Sequence, residues 1–485
     1  MRNNKSINYK ILRMLMSQSR GYKLPPETDY IVMYAFLYKY CSDTIRDFLL
    51  FELRDKELTI DEAYRDKGYQ EHLLFDSLKL NGFYIKSSEA FIEEVVNNNY
   101  SKPGFLPDFL KIFPENIVFS SEYHNSDYFD YLFATIDNEI DTFKFTSEEA
   151  HNIGEIINLI SQFDVFDSDF EFSDIFNIIS DSNLMQISSN PEYINQILSR
   201  IVLSEKKTIN SAYDPFIKDG ESIMKLYESI GYGLKYCYGK DSHKRNYFYT
   251  LVKFFINNLP FNDVFLKNED ALDSIDINGA SFDVILSKIP IAIKNYYSSN
   301  INQSREIAKR NKRSELESLI LDNFGMDGDS FKQDNELNIA LENLVEKINL
   351  ENELGTDFVG EYESLKESEF LFLLNLVDSL KEDGIMAISI SENFLFKNSL
   401  ETLRKYLTCK KNYIDTIIRI PNEIVRSRPE VVIVFKKNRT NKDILFIDMA
   451  ADYETQRSGR AYPGLFRNNI VLDNKTKAKM ENEYL

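Results

Sequence analysis

Tryptophan is absent from the 485 residues, and cysteine and histidine are scarce, at three and four. Cys41, Cys237 and Cys409 are distant from one another and odd in number. That excludes a disulfide framework and a cysteine-based zinc site, and leaves buried structural thiols. His72, His124, His151 and His243 are equally scattered, so no histidine metal site or His-centred triad has the spacing it needs. No apolar run reaches the roughly 18 residues of a membrane helix, and Met1 to Ser6 lead into an amphipathic segment, not a signal core. A soluble, cytoplasmic protein with no membrane partner is expected. Positive charge is also in deficit: 57 Lys and Arg stand against 77 Asp and Glu, a net charge of -20. A protein that binds DNA alone exploits the phosphate charge through a basic surface, so action on nucleic acid implies a basic partner or a strongly segregated surface.

What is present is enough for a large core. Hydrophobic residues at 43% and aromatics at 13% exclude a disordered chain, and the length allows two or three domains. From about Tyr9 to Leu80 apolar residues recur at helical spacing, with Pro25-Pro26-Glu27-Thr28 as a start signal. Helix continues from Pro103 to Ser180, with breaks predicted at Pro103-Gly104 and Pro114-Glu115 and a capping sequence at Thr146-Ser147-Glu148-Glu149. The acidic residues Asp164, Asp167, Asp169, Glu171 and Asp174 read as the solvated face of a helical bundle, with a DNA-mimicking surface as the alternative.

After Ser188 the texture changes to Val-, Ile- and Phe-rich runs alternating with helical stretches, the pattern of a parallel sheet with crossover helices. Strands are predicted at 209–213, 234–238, 264–266, 282–286, 385–390, 414–420 and 431–435. Lys381-Glu382-Asp383-Gly384 reads as a helix cap before the fifth of these. The fold class is therefore α/β: a helical domain over 1–184, then a Rossmann-like doubly wound sheet of about seven strands over 185–450. A helical insertion near 295–369 interrupts it, and a tail follows over 451–485. In the insertion, Arg305, Lys309, Arg310, Lys312 and Arg313 form a basic run whose first reading is a solvated helix face.

Between Ser211 and Ile291 four strands each deliver a polar residue at the carboxyl end: Asp214, Asp241, Asp270 and Lys288. Open α/β sheets bind ligands at that edge. Asp214-Pro215 followed by Gly220, an acidic residue closing the second strand, and Phe282-Asp283-Val284-Ile285 before a Pro-containing turn resemble the N6-adenine DNA methyltransferases. More closely, they resemble the modification (M) subunit of type I restriction-modification systems. Tyr30 to Asp43, Phe172 to Ile179, Asn190-Pro191-Glu192, Leu380 to Phe396 and Leu445 to Asp448 follow that family's order and texture, so the resemblance covers most of the chain.

The resemblance implies an S-adenosylmethionine site at Asp214, Pro215, Lys218, Gly220, Asp241 and Asp270. In it Asp241 would accept the ribose hydroxyls and Asp270 would meet the adenine amino group; alone, either aspartate is equally well a helix cap. Lys218 stands where the family has glycine, whose lack of a side chain leaves room for the cofactor. Lys288-Ile289-Pro290-Ile291 stands where the family has Asn-Pro-Pro-Phe, whose carbonyls accept hydrogen bonds from a flipped adenine while the ring stacks on it. A lysine ammonium has donors and no acceptor. The reading is thus an M-subunit-like protein of a DNA-defence system, with methyl transfer lost or impaired. It would act as scaffold or DNA-clamping partner with a specificity-type subunit and a second M-type subunit. An active methyltransferase with a divergent motif, and an acidic interaction protein, are the alternatives.

Overall fold

The computed structural model describes residues 7–120, 145–289 and 379–449, apart from short stretches within them, together with positions 373, 376–377, 454–455 and 470–471. The chain divides into two compact units, Met1–Asn195 with Ile209–Asp273, and Gln196–Thr208 with Ser274–Leu485. The predicted insertion at 295–369, with its basic run, lies outside the described residues.

The first unit opens with helices α1 (Ile7–Ser19), α2 (Thr28–Leu53), α3 (Ile60–Arg65), α4 (Lys67–Leu80), α5 (Ile92–Val96) and α6 (Phe105–Asn116). Helix α2 is buried all round from Thr28 to Ser42, because apolar and aromatic residues occupy every face of that stretch. Its tyrosines carry hydroxyls into the core and find acceptors there. Tyr38 donates to the Ala90 carbonyl (2.6 Å), and its ring stacks on Phe113 at 4.2 Å.

Pro114 does not end α6, which runs on to Asn116. A proline there lacks the N–H that the Leu110 carbonyl would have received, and the Tyr34 hydroxyl donates to that carbonyl instead (3.0 Å). The structure also forms a short antiparallel pair, β1 (Phe83–Ile85) with β2 (Ile117–Phe119), inside a region that reads as helical in sequence. Helix α7 (Ser147–Ile160) begins with the capping box Thr146/Glu149, as the sequence predicts, and α8 (Phe172–Ser180) follows.

Helix α9 (Glu192–Glu205) leads to the strands. In the first unit β3 (Ser211–Asp214), β4 (Tyr236–Lys240) and β5 (Val264–Lys267) run parallel, joined by crossover helices α10 (Glu221–Ile230) and α11 (Lys244–Ile256). In the second unit β6 (Phe282–Lys288) pairs parallel with β7 (Leu380–Ser391). Strand β9 (Glu430–Lys436) runs antiparallel between β7 and β8 (Ile414–Arg419), and β10 (Leu445–Asp448) pairs parallel with β8.

All seven predicted strands form, β10 is an eighth, and β9 is the reversed one. The architecture is α/β, mostly parallel, after a helical N-terminal region. Lys381 to Gly384 do not cap a helix: they lie inside β7 as a register irregularity opposite Phe282 and Val284. Gly384 is needed there, since a Cβ would come within 2.9 Å of the Phe282 carbonyl oxygen. Of the cysteines, Cys41 and Cys237 are buried as expected, whereas Cys409 is exposed.

Candidate functional site

The loop after β3 is organised by Asp214, which is fully buried. One carboxylate oxygen accepts the Phe216 amide (3.0 Å), and the other accepts the Ser222 hydroxyl from the first turn of α10. The loop then lies down on the end of β4, the Ile217 amide donating to the Lys240 carbonyl (3.0 Å) and the Gly220 amide to the Ile217 carbonyl (2.7 Å). Phe216 and Ile217 are buried beneath it.

Lys218 and Gly220 both have positive φ, 49° and 72°. At Gly220 the conformation and the space both demand glycine, because a Cβ would sit 2.6 Å from Phe254 and 2.8 Å from Thr250. Lys218 adopts the left-handed backbone of the glycine it stands for, at the steric cost of its Cβ.

Asp241 closes β4 and its side chain is 0% exposed. Oδ1 accepts the His243 amide (2.7 Å); Oδ2 accepts the Lys218 amide (3.1 Å) and the Asn246 side-chain amide (3.2 Å). It therefore fixes the turn that precedes α11 and anchors the loop; the N-cap of α11 is His243, with no side-chain cap bond, so Asp241 is neither that helix's cap nor an open acceptor. His243 lies 3.4 Å from Oδ1, and its hydrogen bond to that carboxylate raises its pKa, burial opposing. Neighbouring Lys240, 2% exposed, pairs with Glu269 at 3.2 Å.

The sequence reading missed α11. Asn246, Thr250 and Lys253 recur at helical spacing and face the loop as one stripe. Thr250 donates to the Lys218 carbonyl (2.6 Å), and the Lys253 ammonium, 3% exposed, donates to Glu221 (2.6 Å). Burial alone pulls the Lys253 ammonium down, but Tyr249, Glu221 and Asp219 outweigh it and hold it above its usual range. Burial pushes Asp219 up to about 6, with Lys253 pulling down and Glu221 pushing up. The sequence signal for the last two of that stripe is a threonine and a lysine inside the otherwise apolar and aromatic run from Tyr247 to Ile256.

In the second unit, Lys288 ends β6 with its ammonium 3.0 Å from Glu430, which is 2% exposed. Ser389 of β7 donates to the other oxygen of Glu430 (3.0 Å), and the Ile289 amide donates to the Ser389 carbonyl (2.8 Å). Lys288 thus brings its own counter-ion, a residue that the sequence reading did not single out. Pro290, Ile291 and Asp270 lie outside the described residues, so the structure brings together Asp214, Pro215, Lys218, Gly220 and Asp241 in one unit and Lys288 and Ile289 in the other.

The S-adenosylmethionine implied by the resemblance does not fit this first set as it stands. The carboxylate meant for its ribose is inaccessible and bonded to the protein's own amides. Among the described residues no group of three or more His, Cys, Asp or Glu could hold a metal ion, and no helix is long and apolar enough to cross a membrane.

A mostly parallel sheet with one reversed strand, following a helical N-terminal region, is a fold this chain shares with methyltransferase neighbours. Residues 331–471 match the N-6 DNA methylase family; Glu430 lies inside that segment and Lys288 before it. The chain is 21% identical over 282 residues to the type I restriction enzyme MpnII methylase subunit of Mycoplasma pneumoniae, a match over 55% of this chain and 43% of that protein. The chain thus spans under half of that curated relative. The type I restriction-modification methyltransferase subunit from Streptococcus thermophilus superposes with a TM-score of 0.67 at 19% identity, over 98% of this chain and 92% of that one. In sequence and in fold the chain resembles the M subunit of type I systems.

Proposed function

We propose that this chain is an M-subunit-like component of a type I restriction-modification or related DNA-defence assembly in which methyl transfer has been lost. It serves there as a scaffold and DNA-clamping partner. The observation that carries this reading is the closed ion pair of Lys288 and Glu430 at the end of β6. Methylation of an exocyclic amine needs acceptors aimed at its hydrogens. Lys288 offers donors only; of the carboxylate beside it, Oε2 accepts from Ser389, and Oε1 is buried without a hydrogen bond but ion-paired with the Lys288 ammonium at 3.0 Å, which holds it from an incoming amine. The inaccessible Asp241 supports the same reading on the cofactor side.

The partners proposed are a specificity-type subunit, a second M-type subunit, and DNA reached through that complex. The domains proposed are a helical domain over 1–184, a methyltransferase-derived domain over 185–450 with a helical insertion near 295–369, and a tail over 451–485, in the cytoplasm. The test is to co-express the chain with the specificity-type subunit from its own host and supply labelled S-adenosylmethionine and host DNA. The expected result is a stable complex without label on the DNA. Incorporation of label by the wild-type complex would sink the reading.

A further inference from the structure

Taking the crevice to be methyltransferase-derived, as just proposed, we propose that it is latched shut by its own loop. The Lys218 amide occupies the Asp241 carboxylate that a nucleoside diol would need, and Thr250 of α11 holds the same residue by its carbonyl. Three observations meet here. The Asp241 side chain is inaccessible, with its two oxygens taking three N–H groups at 2.7 to 3.2 Å, and one of the three is the loop's own. The loop cannot lift from Asp241 without breaking the Thr250 bond to the Lys218 carbonyl on the other side of the same residue (2.6 Å). Gly220 is seated against Phe254 and Thr250 with no room for a Cβ, so the far end of the loop is clamped by the same helix.

A ribose diol presents two hydroxyl donors, and a carboxylate is suited to both. Here one of those places is filled from within. The latch is thus an autoinhibitory contact directed against adenosyl ligands. Lys253, through Glu221 at the start of α10, sets the base of the loop as a positioning residue.

The experiment uses the full chain and S-adenosylhomocysteine, which carries the diol without a transferable methyl group. Calorimetry reads binding, and amide hydrogen exchange reads the segment 214–220. Wild type should show no binding at millimolar ligand and protected amides at Phe216 and Lys218. In Thr250→Val, the loss of one hydrogen bond should speed exchange in that segment about tenfold, with the β7 amides unchanged. The same variant should also gain measurable binding, and Thr250→Ser should return both to wild type. Should the valine variant fail to fold, Thr250→Ala gives the same readings without a branched methyl at the site.

Binding by wild type overturns the latch. So does unchanged exchange in the variant, or faster exchange with no gain of binding. Wild-type binding without methyl incorporation removes only the latch. Label on the DNA in the separate assay with S-adenosylmethionine removes the loss of methyl transfer as well.

Discussion

At the scale of single residues, two buried charges govern what can be tested. Asp219 is 6% exposed and its carboxyl titrates near 6 in the folded chain, above the ordinary aspartate value of about 3.9 expected when unfolded. The folded state therefore holds the proton more tightly. That contribution to stability is fully present below about pH 4 and is lost as the pH rises through about 6. Asp219→Asn should raise the free energy of unfolding at pH 7.5 by on the order of 1–3 kcal/mol, and make little difference at pH 4. Thermal melts at the two pH values check this, and an equal gain at both would mean that titration is not the cause.

The pair of Lys288 and Glu430 gives the second case. Lys288→Met leaves a carboxylate of 2% exposure without its cation and should cost on the order of 3 kcal/mol. Lys288→Met with Glu430→Gln should recover more than half of that, because the remaining amide can still accept from Ser389. Denaturant titration of the full cycle reads the coupling, and strict additivity would show that the two side chains do not depend on each other.

At the scale of elements, the loop after β3 carries its own contrast between neighbouring positions. Gly220→Ala meets Phe254 and Thr250 at a φ of 72° and should cost more than about 2 kcal/mol. Lys218→Gly, at a φ of 49°, removes a strained Cβ and should fall within about 1 kcal/mol of wild type. Urea midpoints of the two variants check the pair.

The elements themselves were largely legible in the sequence. The apolar runs from Ile209 to Phe435 locate seven strands, and Thr146 with Glu149 marks the start of α7, because periodicity and capping are local properties. What was not legible depends on a partner distant in the chain. Pro114 reads as a break, and only the Tyr34 hydroxyl on another helix shows why it is not one. Lys381 to Gly384 read as a helix cap, yet the irregularity they form is defined by the pairing of β7 with β6. Of the site, the residues at strand ends could be named in advance. The stripe Asn246, Thr250 and Lys253, and the acid that neutralises Lys288, could not, since no motif spaces them.

At the scale of the whole molecule, the net charge of -20 decides how the protein meets DNA. Alone, it should be repelled by a polyanion more strongly as salt is lowered, the opposite of an ordinary DNA-binding protein, whose affinity rises steeply at low salt. Gel-shift titration of the purified chain from about 50 to 200 mM salt should show no retention at any point. Addition of the specificity-type partner should bring retention that weakens with salt. Strong, salt-sensitive binding by the chain alone would mean that its basic residues form a continuous surface of their own.

The reversed course of β9 has a further consequence for how this chain could have changed over time. Parallel strands can present only their last residues at the crevice edge, so those few positions form a closed set. An antiparallel strand breaks that restriction by presenting its first residue instead, and Glu430, opposite Ser391, is that residue. A single codon on the approach to β9 could thus install a new charge beside the end of β6 while every loop that follows a parallel strand stayed as it was. Homologues that differ in chemistry should accordingly vary together at this one entry point and at the end of β6.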